Sequence, residues 1–168
     1  MSQLTLTLDT PLMVRDGRGR YRLADADQIL EAARQVIEQK MQRGEAFTSP
    51  EAVKDYLRAK LAGFEHEVFA VLFLDTRHRL IDYVEMFRGT IDAAEVHPRE
   101  VVKQALRLNA AAVIVSHNHP SGNSEPSAAD KAMTSQLRQA LALVDIRTLD
   151  HVIVAGTRTT SFAERGLL

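Results

Sequence analysis

The sequence predicts an α/β or α+β domain built on a β-sheet, and three observations carry the prediction. Segments patterned as strands alternate with amphipathic helical segments along most of the chain. Residues 68–74 read Val-Phe-Ala-Val-Leu-Phe-Leu, apolar on both alternating faces, as a central strand covered on both sides must be. A second apolar run, 110–115, leads directly into a loop rich in Pro, Gly, Ser and His, and chemistry often sits on loops at the ends of buried strands.

A chain of 168 residues with 45% hydrophobic content is long enough to close one ordinary core. Cysteine is absent, which fits a reducing compartment. It also excludes cysteine nucleophiles, zinc ribbons and the Cys-x-x-Cys half of a zinc deaminase site. Any metal must therefore be held by nitrogen and oxygen. No apolar run approaches the ~20 residues of a membrane span, and the N-terminus lacks the basic-then-apolar layout of a signal peptide. A cytoplasmic protein without membrane association is expected. With 21 basic and 22 acidic residues the net charge is −1, so the global field gives no reason for tight non-specific nucleic-acid binding.

In chain order, Leu4, Leu6 and Leu8 alternate as a short edge strand would, and Pro11 leads into a basic turn with Arg15, Arg18, Arg20 and Arg22 around Gly17 and Gly19. From Asp25 to Met41, Ile29, Leu30, Ala33, Val36, Ile37 and Met41 follow helical spacing, and Arg43-Gly44 ends the helix. Ser49-Pro50-Glu51 is a helix start with a capping serine, a proline at the first helical position and an acid in the first turn. Val53, Tyr56, Leu57 and Leu61 form its buried face, and Gly63 closes it. The strand at 68–74, a polar turn at 75–79 and a more exposed strand at 80–87 make a hairpin, which Gly89-Thr90 ends. His97-Pro98 opens a helix with Val101, Val102, Ala105, Leu106 and Leu108 as its stripe. Arg99, Lys103 and Arg107 fall on another face, most simply a solvated one. A strand at 110–116, a loop at 117–126, a helix from Ala128 to Leu143 and a hairpin of 151–155 with 159–162 complete the chain.

The loop carries the chemistry. His117 and His119 are two apart, so an extended backbone points both imidazoles to one side. Ser127 stands where the next helix begins, and Asp130 lies one turn in, where its carboxylate can project back toward the histidines. Two imidazole nitrogens and one carboxylate oxygen form a three-ligand set for zinc that leaves a fourth position open to water. A plainer account also exists, because Ser-x-x-Asp is a variant of the capping box. His97 is read as a helix cap, Ser116 as a hydroxyl able to orient a histidine, and Asn118 and Ser121 as loop-shaping residues. Pro120 and Gly122 are read as fixing the turn. His66, His78 and His151 have no partner at ligand spacing and read as surface or strand-end residues.

The spacing His117-x-His119-x7-Ser127-x2-Asp130 resembles the JAMM (JAB, MPN-plus) metalloprotease motif. The fuller string His-Asn-His-Pro-Ser-Gly with Pro-Ser-x-x-Asp is similar to the RadC branch of that superfamily. Gly89-Thr90-Ile91, the run Val96-His97-Pro98-Arg99-Glu100 and the ending Ser161-Phe162-Ala163-Glu164-Arg165-Gly166 resemble RadC proteins too. The likeness runs from about Phe47 to the C-terminus. It divides the chain into an N-terminal extension with one amphipathic helix (1–46) and a RadC-like JAB metal-binding domain (47–168). The extension lacks the glycine hairpins of the helix-hairpin-helix region that RadC proteins often carry. The resemblance implies a JAB/MPN-type mixed sheet flanked by helices, in a cytidine-deaminase-like three-layer arrangement. It further implies a zinc site of His117, His119 and Asp130, with Ser127 hydrogen-bonding an oxyanion and an upstream glutamate as general base. Glu67 is the best match by position, ahead of Glu85 and then Glu65.

These readings lead to a zinc-dependent peptidase or isopeptidase acting on a protein or peptide substrate. Two alternatives belong to other classes: a DNA-repair-associated accessory protein, and a metal-bearing interaction protein without catalysis. Near-zero net charge and 5% aromatic content weigh against the first of these as a primary role.

Overall fold

Residues 12–42, 47, 49–89 and 95–168 are described by the computed structural model of the chain, with the side chains of 37–42 excepted. The alternation expected at Leu4, Leu6 and Leu8, Pro11, the helix end at Arg43-Gly44, and Thr90-Ile91 lie outside the described residues.

The basic tract forms a small hairpin, β1 (Met13–Arg15) with β2 (Tyr21–Leu23), whose register places Met13 opposite Leu23. Asp16 Oδ1 holds its turn by accepting from the Arg18 and Arg20 amides, each at 2.9 Å. Helix α1 (Ala26–Gln42) follows, and Arg34 donates to the carbonyls of Ala59 (3.3 Å) and Ala62 (3.2 Å) at the end of α2 (Pro50–Leu61). Ser49 caps α2 as its sequence requires, accepting from the Ala52 amide. At the other end of α2, Gly63 adopts φ +88°, a left-handed value that suits glycine.

Strands β3 (Val68–Leu74) and β4 (Leu80–Arg88) form the expected hairpin. Then come α3 (Pro98–Arg107), β5 (Ala112–Asn118), α4 (Ala128–Ala142), β6 (Arg147–Ala155) and β7 (Arg158–Ser161). The five strands lie in the order β4-β3-β5-β6-β7. Only β5 and β6 run parallel, joined through α4, so the sheet is mixed.

Alternation along the strands builds two cores. Ala70, Leu72, Leu74, Ile114, Val152 and Val154 pack against Val53, Tyr56, Leu57 and Leu61 of α2. Phe69, Val71, Phe73, Val113 and Val115 pack against Val101 and Ala105 of α3 and Leu137 and Leu141 of α4. Every residue of β3 and β5 is buried, which explains the near-continuous apolar runs in the sequence. The result is the helix-sheet-helix layering of the mixed-sheet α+β fold that the resemblance implies. Lys54 of α2 closes the far end, donating to Glu164 Oε1 (2.6 Å) and Oε2 (2.8 Å) in the C-terminal turn.

Three expectations need correction. Strand β5 runs on through His117 and Asn118 instead of stopping at 116, because the β3 and β6 ladders on its two sides extend that far. Strand β6 begins at Arg147, four residues before the alternation becomes apolar. Leu106 is 55% exposed, since α3 rests on the sheet through Val101 and Ala105, and Leu106 falls on its flank.

Asn118 is more than a loop-shaping residue. Its buried Oδ1 accepts from the Val68 amide at 2.7 Å, and its Nδ2 donates to the His66 carbonyl at 3.0 Å. One side-chain amide thus grips the backbone on both sides of Glu67. Replacing Asn118 with Ala leaves a buried donor and acceptor unpaired and is expected to cost about 1–3 kcal/mol. Urea unfolding checks this: the midpoint should fall with an unchanged slope, and an unchanged midpoint would contradict it.

Candidate metal centre

The face of the sheet covered by α3 and α4 carries the site at its edge. Phe69 lies opposite His117 in the β3–β5 register, and side chains two apart on a strand share a face. Glu67, two residues before Phe69, therefore points to the same side as His117. His119 follows one residue beyond β5, its amide bonded to the Val154 carbonyl at 2.8 Å, so the ladder continues far enough to aim its ring inward. Gly122 turns the loop back with φ +76° and donates to the His119 carbonyl at 3.0 Å. Arg158 holds the Gly122 carbonyl, and Arg165 grips Glu125 with two bonds of 2.7 and 2.9 Å. The turn is thereby tied to β7 and to the C-terminal segment.

Helix α4 delivers the carboxylate, and both readings of Ser-x-x-Asp hold at once. Ser127 Oγ accepts from the Asp130 amide (3.1 Å), while Asp130 Oδ2 accepts from the Ser127 amide and hydroxyl, each at 2.7 Å. That is a complete capping box. It uses one carboxylate oxygen, and the other, Oδ1, stands 3.2 Å from His117 Nε2. Capping holds the carboxylate in place for the site.

His117 Nε2 and His119 Nε2 are 2.8 Å apart, and Asp130 Oδ2 is 3.6 Å from His119 Nε2. One ligand atom from each of the three residues fits within a 4.8 Å cluster, and together they can hold a metal ion. The donor set itself favours a cation. His119 Nδ1 lies 2.6 Å from the Asn123 carbonyl, which can only accept, so the proton of the neutral ring sits on Nδ1 and Nε2 presents a lone pair. A second nitrogen and a carboxylate oxygen lie beside that lone pair, an arrangement that positive charge between them would stabilise.

Glu67 Oε1 is 3.9 Å from His117 Nε2, and its side chain is 14% exposed. Burial pushes its carboxyl above the ordinary 4.5 against the pull of His117 and His119, and Asp130 adds to the rise. Burial acts in the same sense on Asp130. There the neighbouring His117 imidazole and both Ser127 donors prevail and hold the carboxyl well below the usual carboxylate range. The two acids thus diverge: Asp130 stays ionised, and Glu67 is disposed to exchange a proton.

The other candidates fall outside the site. Glu85 pairs with Arg88 at 3.2 Å and lies opposite Ala70, on the α2-covered face of the sheet away from the site, and Glu65 is exposed. His97 makes no side-chain cap bond; its imidazole lies 4.0 Å from Glu95 instead. Ser116 Oγ donates to the Val152 carbonyl at 2.6 Å on the opposite face of the sheet and so orients no histidine. His78 sits in the β3–β4 turn with φ 59°, its Nε2 3.3 Å from Arg147. Within the basic rows, Arg20 pairs with Asp16, and both Arg99 and Lys103 pair with Glu100.

His151 overturns its reading as a surface or strand-end residue. It is fully buried on β6, its Nε2 2.8 Å from His117 Nδ1 and its Nδ1 2.6 Å from Thr134 Oγ1. Burial drives its imidazole well below the ordinary 6.5. Sequence spacing does not find it, because it joins the site across the parallel β5–β6 pairing. The apolar alternation of its own strand offers the only local hint: a histidine in phase with buried Ile153 and Ala155.

The RadC-like JAB domain family matches residues 47–167 of this chain. A UPF0758 protein of Vibrio cholerae is 58% identical over 154 residues, covering 90% of this chain and 97% of that protein. A UPF0758 protein of Methylibium petroleiphilum is 57% identical over 152 residues, covering 90% of this chain and 68% of its own length. One from Thioalkalivibrio sulfidiphilus is 56% identical over the same extent. No helix among the described residues is long and apolar enough to cross a membrane. The fold, the ligand cluster and these likenesses agree, and the chain belongs to the RadC-like JAB domain family.

Proposed function

We propose that the chain is a zinc-dependent peptidase or isopeptidase that hydrolyses an amide bond. The observation that carries this reading is the convergence of two imidazole Nε2 atoms 2.8 Å apart with an Asp130 oxygen at 3.2 Å and a Glu67 oxygen at 3.9 Å. His117, His119 and Asp130 are the residues that would hold the ion. Zinc bound by such a set supplies a Lewis acid and brings the pKa of water toward neutrality.

The remaining steps belong to the protein's own side chains. Glu67, raised by burial and aimed at the same point, takes a proton from the attacking water and returns it to the departing amine. Ser127 is exposed at the rim, and its hydroxyl is a short hydrogen-bond donor. Turned toward substrate, it stabilises the oxyanion of the tetrahedral species. Asn118 fixes the backbone on either side of Glu67 and so keeps the base at its post. Two imidazole nitrogens and one carboxylate oxygen are a donor set that suits zinc.

Two outcomes are expected. Purified protein dialysed against zinc should retain one equivalent by elemental analysis, and His119→Ala should lose most of it; equal metal content in both would refute the site. In a screen of peptide and isopeptide substrates, Glu67→Gln should lower turnover by at least about 10²-fold with zinc still bound. Equal turnover by the variant would remove Glu67 as base, and no turnover by either protein would favour the non-catalytic scaffold.

A further inference from the structure

A hydrogen-bonded chain runs behind the ligand cluster. Thr134 Oγ1 on α4 is 2.6 Å from the Asp130 carbonyl one turn earlier, and 2.6 Å from His151 Nδ1 on β6. His151 Nε2 is in turn 2.8 Å from His117 Nδ1 on β5. All four residues are buried, Thr134 at 2% exposure and both histidines at 0%. The chain starts at a carbonyl, which can only accept, and this sets every proton after it. Thr134 spends its one hydroxyl proton on the Asp130 carbonyl. Its oxygen can then only accept from His151, so the His151 proton is on Nδ1 and its Nε2 carries a lone pair. That lone pair accepts from His117, whose proton is therefore on Nδ1.

We propose that His151 and Thr134 are positioning residues that lock His117 into the tautomer whose Nε2 lone pair faces the metal site. The inference deepens the metal-site reading and rests on it for its purpose. Asn123 does the same for His119 through a single carbonyl. With both rings locked, no proton of a neutral imidazole remains between the two Nε2 atoms. The two Nε2 lone pairs then converge, and a cation bound by both would relieve their repulsion. The chain also spans three elements: it begins and ends on residues of the ligand cluster, Asp130 and His117, with β6 as the bridge. Such outer partners typically contribute 10–100-fold to metal affinity.

The test uses the full chain in three forms: wild type, Thr134→Val, which removes the hydroxyl at nearly constant shape, and Thr134→Ser, which keeps it. Imidazole 15N NMR of the metal-free proteins at about pH 8, where an ordinary histidine is neutral, reads each tautomer directly. Zinc affinity is measured separately by competition with a chromophoric chelator. Expected are His117 and His119 both protonated on Nδ1 in wild type, and a mixed or reversed His117 tautomer in Thr134→Val. Zinc binding of Thr134→Val should weaken about 10-fold or more, and Thr134→Ser should resemble wild type in both respects. A proton on His117 Nε2 in the wild type overturns the proposal, as does a Thr134→Val protein with wild-type tautomer and affinity. Wild type that shows the expected tautomer but binds no zinc would instead defeat the metal-site reading and leave the tautomer lock standing.

Discussion

The register in which β3 pairs with β5 is the constraint from which the site follows. Phe69 opposite His117 sends Glu67 and His117 to the same face, and a slip of one residue would send them to opposite faces. The register cannot drift, because both strands are wholly buried and both their faces are packed. Asn118 locks it at the end that matters, bonding the backbone on both sides of Glu67. The proposed base and one proposed ligand are therefore held at the end of two wholly buried strands. That suits a site whose geometry must hold to a fraction of an ångström.

The helix start opposite is built with similar economy. Asp130 divides its two oxygens, Oδ2 completing the cap of α4 and Oδ1 facing His117. The cap is thus a device for aiming a carboxylate, and its two Ser127 donors help to keep Asp130 ionised despite burial. Through Thr134 and His151 the same helix reaches the back of the His117 ring. Helix, central strand and the parallel neighbour strand are bound into one polar network inside an otherwise apolar core. Buried networks of this kind have to be satisfied to be tolerated, and behind the His117 ring each member has its partner.

Much of this was legible in the sequence, where the signal was local. The apolar runs announced β3 and β5, Ser49-Pro50 announced α2, and the spacing of His117, His119, Ser127 and Asp130 brought the cluster within reach before any fold was known. Glu67 was legible only through the family resemblance, because an acid before a strand is commonplace and its neighbour His117 lies 50 residues away in the chain. His151 was not legible at all by spacing. Its partnership with His117 depends on the parallel pairing made possible by α4, and its strand begins earlier than its apolar alternation does. The roles expected of Ser116 and His97 failed for a related reason. Strand phase turns Ser116 to the other face, and His97 at the start of α3 faces solvent beside Glu95.

The account stands or falls on whether one ion is bound by these three side chains. X-ray absorption at the zinc edge, on protein carrying one equivalent of zinc, tests it most directly. The expected first shell contains two imidazole nitrogens and carboxylate oxygen at about 2.0–2.2 Å, with the outer-shell scattering of two histidine rings. A shell of oxygen alone, or one with a single imidazole, would contradict it.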